Sequence, residues 1–289
     1  SMHEIEKVVA YLLRHQQPHT VLIGVDLISF DVNRAENEDF AQSGFDGTPL
    51  PQLYLPRILS SRALVDSLST IVYNLAGARE PQFGRNGALA RPRNMRYDHR
   101  AAFRHMIGYY AKWDFYTDFA YSAASMRALR RALRQLLDRG VEVYLFVSPV
   151  HASQLEVMRL MGLYDAFERV KRDLVATATT LDAGDRLQLW DFSGYNSITL
   201  EALPPARVER RMAWYWEQAH YTRATGDLML ARMLGAAHRV GGVPPDFGVR
   251  LGPENIETHL VDMRRGRLRY HDADHAAQPI IADIMTERR

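Results

Sequence analysis

A three-layer α/β/α sandwich around a short parallel sheet is the fold class this sequence predicts, and three observations carry it. Three apolar runs of strand length stand out: TVLIGVD from Thr20, VEVYLFV from Val141 and LQLWDF from Leu187. Stretches with apolar residues at helical spacing separate them. Strand alternating with helix is the pattern of parallel strands covered on both faces. With 289 residues the chain is long enough to bury a substantial core. We expect one main α/β domain over 1–238 and a small extension over 239–289.

Each element follows from local pattern. Ile5, Val8, Val9, Leu12 and Leu13 mark a first helix that Pro18 ends before the first strand. Residues 30–51 carry Asn, Asp, Gly and Pro without periodicity and read as a surface loop. LYLPRILSSRALVDSLSTIVYNLAG reads as one helix closing near Gly77, and 78–97 as another loop. Phe119, Met126, Leu129, Leu133, Leu136 and Leu137 share a helical face that stops at Gly140, directly before the second strand. A helical stretch over 152–176, bent near Gly162, leads to the third strand, and a last helix begins near Thr222. In the extension, GVPPDFG is a break, and THLVDMRRGRLRYHD predicts a hairpin with RRGR at its turn.

Composition excludes several functions. With 47% hydrophobic and 24% charged residues, the chain is neither disordered nor fibrous. Net charge is only +2, and of 36 basic residues only Lys7, Lys112 and Lys171 are lysine, which argues against a nucleic-acid partner. Lacking cysteine, the chain forms no disulfide, no thiolate zinc site and no thiol nucleophile. No apolar run approaches the roughly 18 to 20 residues of a membrane span. SMHEIEKVVAYLL lacks the basic start and unbroken apolar core of a signal peptide.

Parallel sheets bind ligands at the carboxyl ends of their strands, so the strand ends are the first candidates. They carry Asp26; Ser148 and His151 in SPVH; and Asp191 and Asn196 in WDFSGYN. These residues read as substrate-binding, with Asn196 able to donate to an oxyanion or a sugar hydroxyl. Each also has a plainer reading: Asp26 terminates a strand, SPVH starts a helix, and Asp191 with Asn196 stabilises a turn. In WYWEQAH, Glu217 stands three residues before His220, a spacing at which a carboxylate can fix an imidazole tautomer and stabilise its charged form. Trp216 offers a flat ring to a sugar, or packs the entry to the last helix. HDADH at 271–275 has ligand-type side chains but no third convergent element, so no metal and no cofactor is expected.

Taken together, VLIGVDLISF, VEVYLFVSPVHASQLEVMRLMGLYDAFERVKRDLV, LWDFSGYNSIT and WYWEQAHYTRATGDLML resemble the SGNH (GDSL-type) hydrolase-like proteins of the bacterial cell envelope, the group that includes polysaccharide O-acetylation proteins. The likeness covers roughly residues 1–238 and rests on segment order. It implies an esterase or O-acyltransferase acting on an envelope or exported polysaccharide, in the periplasm or envelope. His220 would be the base, and Glu217, replacing the family's usual Asp, would orient it. The family's serine motif is absent, so the resemblance implies an amino-terminally truncated chain whose nucleophile and first strand lie upstream, after the membrane anchor that family members often carry. A non-catalytic carbohydrate-binding or scaffold role is the alternative reading, and an interaction role for the 239–289 extension is a third.

Overall fold

The computed structural model describes residues 1–34, 40, 43–45, 58–75, 97–113, 115–205, 210–272 and 277–287. It divides into two compact units, one of residues 1–35 and 98–289 and the other of residues 36–97. Within the second unit the described helix is α2 (Ser61–Leu75), shorter than the sequence reading; Gly77 and most of the two loops lie outside the described residues.

The first unit is an α/β sandwich built on four strands in the order β1 (Thr20–Val25), β2 (Glu142–Val147), β3 (Leu187–Asp191) and β4 (Val249–Arg250). The first three are parallel, with Val25 opposite Val147 and Val147 opposite Asp191. The two-residue β4 adds antiparallel to β3. All three predicted strands therefore form, and because they are parallel and in register their carboxyl ends finish side by side.

One sheet face, with Ile23, Val25, Val143, Leu145, Val147 and Leu189, is buried. Helix α1 (Met2–His15) packs on α4 (Ala123–Asp138), whose Met126, Leu129, Leu133, Leu136 and Leu137 are buried as their spacing predicts. Ser122 caps α4, accepting from the Ser125 N–H at 3.1 Å, and Gly140 takes the positive φ that turns the chain into β2. The predicted bend at Gly162 separates α5 (Ala152–Leu160) from α6 (Tyr164–Leu181); its φ of 75° is easy only for glycine. Near β3 the opposite face is covered through Phe192, Phe247 and the Arg232 stem on α7 (Arg223–Met233). At β1 it leaves Leu22 42% exposed, so cover on that side is uneven.

Two segments depart from the sequence reading. Residues 98–113, left without an element, form α3 (His99–Gly108) running into a π-helical turn over Tyr109–Trp113. The predicted hairpin in the extension is instead α8 (Ile256–Asp272), followed by α9 (Ala277–Glu287). Ile256, Leu260, Met263 and Tyr270 are buried at spacings of four, three and seven, which suits a helix and not a strand. Arg264 pairs with buried Glu168 of α6, and Arg267 with buried Glu156 of α5 at 3.1 Å. The extension is thus part of the first unit rather than a tail. Of the HDADH stretch, residues 271–272 end α8, and Asp274 and His275 lie outside the described residues. No described helix is long and apolar enough to cross a membrane.

Candidate functional site

The end of β1 delivers Asp26 and the end of β2 delivers Ser148, whose N–H bonds the Val25 carbonyl at 3.1 Å. One step beyond register partners Val25 and Val147, the two side chains share a sheet face. Burial pushes Asp26 above the usual carboxylate range, while the Ser148 hydrogen bond and the charge of nearby His220 pull it partly back.

His220 reaches this place on a tight loop. Tyr215 and Tyr221 form an isolated antiparallel bridge, and the Trp216 N–H bonds the His220 carbonyl at 2.9 Å, leaving Glu217, Gln218 and Ala219 at the tip. Glu217 is buried, with one carboxylate oxygen accepting from the Ala219 N–H at 2.8 Å and the other bonded to Nδ1 of His220. The loop is stitched to the end of β2: the Tyr215 hydroxyl donates to the Pro149 carbonyl at 2.8 Å, and the His151 N–H to the Gln218 carbonyl at 2.9 Å. Buried His99 of α3 clamps its other side, with Nδ1 donating to the Trp216 carbonyl at 2.9 Å and Nε2 accepting from the Met212 N–H at 3.2 Å. Those two contacts fix the neutral tautomer protonated on Nδ1.

Between these elements lies a small, partly open pocket. Asp26, Ser148 and Gln154 supply its polar wall; Leu27, Ile28, Val147, Val150, Met158, Phe167 and Ala219 are apolar, and Tyr110 and Tyr116 complete it. Burial and the neighbouring Asp26 and Glu217 charges push the Tyr110 hydroxyl far above its ordinary range, and burial does the same to Tyr116. Both therefore present neutral hydroxyls to the pocket. Gln154 donates to the Tyr116 hydroxyl at 2.6 Å, and its buried Oε1 has no hydrogen-bond partner among the described residues.

Of the predicted residues, Asp26 and Ser148 line this pocket, and the loop that carries Glu217 and His220 reaches it through Ala219. His151 is buried: Nδ1 accepts from the Ser153 N–H at 3.1 Å and Nε2 donates to the Glu201 carbonyl at 2.8 Å, so it caps α5 as the plainer reading had it. Glu201 in turn accepts from the Ala213 and Trp214 N–H groups, which links His151 to the Glu217 loop. Asn196 accepts from the Ile198 and Thr199 N–H groups and so holds a turn. Trp216 is half-buried beside His220.

Asp191 belongs to a separate buried cluster. It meets Lys171 Nζ at 2.6 Å, His259 Nε2 at 2.8 Å and the Ser193 hydroxyl at 2.6 Å. Although burial disfavours its charge, Lys171 and His259 hold its carboxyl well below the usual range. Sequence reasoning missed Lys171 and His259, and also His99, Tyr110, Tyr116 and Gln154 of the pocket and its loop. Gln154 and Tyr116 lie on no strand end, and no short motif marks them.

Comparison with family models, with curated proteins and with solved structures finds no match to this chain.

Proposed function

We propose that the first unit is an SGNH-type ester hydrolase or O-acyltransferase, with His220 exchanging protons with the substrate through Nε2 and Glu217 fixing and charging it through Nδ1. One observation carries this reading: a shielded carboxylate holds an exposed imidazole at the carboxyl edge of a parallel sheet, beside a small pocket lined by Asp26 and Ser148. The mostly apolar, narrow pocket suits a short acyl group such as acetyl, with a larger alcohol portion left outside its mouth. An envelope or exported polysaccharide fits that description, and the segment-order resemblance favours it. The family resemblance implies a serine nucleophile, and a serine in that role leaves an acylated protein.

p-Nitrophenyl acetate turnover tests the reading. We expect His220→Ala to lower kcat/KM by about 10²- to 10⁴-fold, with folding intact by circular dichroism. Equal rates for wild type and variant sink it.

A second reading is a carbohydrate-binding protein without turnover, favoured by the half-buried Trp216 beside an exposed His220. It predicts glycan binding, lost in Trp216→Ala, with no ester cleavage by the wild type.

A further inference from the structure

The acid–base pair leaves open what attacks the ester and what protonates the alcohol that departs. At the end of β1, a carboxyl, Asp26, lines the pocket together with Ala219 of the loop that carries His220. Ser148, at the neighbouring strand end, lines the same pocket beside that carboxyl. The surrounding Tyr110, Tyr116 and Tyr221 are neutral hydroxyls raised by burial, so apart from the Glu217–His220 pair the described groups acting on Asp26 carry no formal charge. In such surroundings a carboxyl keeps its proton more readily than in water. Gln154 adds a buried amide oxygen, on the same pocket wall, that accepts nothing from the described residues. An acceptor in that place suits a water or a substrate hydroxyl.

We propose that Asp26 is a second catalytic residue, the general acid of a direct hydrolysis in which water, activated by His220, attacks the ester. The proposal rests on the esterase reading above. The water oxygen bonds to the carbonyl carbon as its proton passes to Nε2 of His220. When the tetrahedral intermediate collapses, the bond from carbon to the alcohol oxygen breaks, and that oxygen takes the proton of the Asp26 carboxyl. Solvent then carries the proton from His220 back to Asp26. The sum is ester plus water to carboxylic acid plus alcohol, with no covalent bond to the protein. Ser148 is a positioning residue here, aiming the Asp26 carboxyl.

A leaving-group comparison distinguishes this role. p-Nitrophenolate departs without a proton, whereas an alkoxide needs one. Wild type, Asp26→Asn and His220→Ala are assayed on p-nitrophenyl acetate and on ethyl acetate, and each reaction is quenched for intact mass. We expect His220→Ala to lose both activities. Asp26→Asn should lose at least about 10²-fold on ethyl acetate and clearly less on the aryl ester, so the aryl-to-alkyl ratio rises at least about tenfold. No acetylated protein should accumulate. His220-dependent turnover in which Asp26→Asn falls equally on both esters, or on neither, overturns the acid role of Asp26 and leaves the esterase reading standing. An acetyl adduct on Ser148 or Asp26 overturns direct water attack. Absence of turnover in the wild type on both esters overturns the esterase reading, and this role with it.

Discussion

Glu217 and His220 form an asymmetric pair: the glutamate side chain is 6% exposed and the histidine side chain 68%. A shielded carboxylate acts on the ring through a low local dielectric, while the ring itself meets solvent. A surface ion pair between two exposed chains would be worth little. Here the loop from Trp214 to Thr222 exists to hold one partner in and the other out, and the bonds from Tyr215, His151 and His99 hold that loop.

The His99 clamp predicts a coupling between stability and the order of the loop it holds. His99→Leu leaves the Trp216 carbonyl and the Met212 N–H without their partner, at about 1–3 kcal/mol for each buried group. Thermal unfolding should shift down accordingly, and hydrogen exchange at Met212 should quicken. Unchanged exchange at Met212 would mean that the contact does not restrain the loop.

The buried cluster at the end of β3 predicts a purely structural loss. Lys171→Met strips Asp191 of its cation and should cost about 3–5 kcal/mol at neutral pH, read by urea denaturation. The folded value of Asp191 is depressed, so its contribution is present above the unfolded value near ~3.9 and fades as pH falls through the folded one. The deficit of Lys171→Met should therefore shrink in strong acid. A variant as stable as wild type at pH 7 refutes the pairing.

Asp26 predicts the opposite sign. Its folded value is raised, so ionisation penalises the folded state; the penalty is absent below about 3.9 and grows as pH rises through the folded value. Asp26→Asn keeps an acceptor for Ser148 and removes the charge. It should melt higher than wild type at pH 7 and equally at pH 3. A variant less stable at pH 7 would show that the carboxylate is well solvated or well paired.

How much of this was legible beforehand depended on whether the signal was local. The three strands, the helix ending at Gly140 and the bend at Gly162 follow from apolar spacing and from turn chemistry within a few residues. α8 was not legible as a helix, because RRGR imitates a turn; the contacts that decide it, Arg264 to Glu168 and Arg267 to Glu156, span 96 and 111 residues. In the site, Glu217 and His220 were visible as a pair, and the strand-end rule picked Asp26 and Ser148. The same rule also picked Asp191, which side-chain alternation sends to the other sheet face. Gln154 and Tyr116 reach the pocket only through packing of α5 against the segment that follows the π-helical turn, which no short motif encodes.

The pair itself is tested most directly by a double-mutant cycle on kcat/KM for p-nitrophenyl acetate, comparing wild type, Glu217→Gln, His220→Ala and the double variant. If Glu217 acts through His220, the double variant should be no worse than His220→Ala alone, because groups working as a unit are lost together. Losses that add, or a Glu217→Gln enzyme as fast as wild type, would contradict the account.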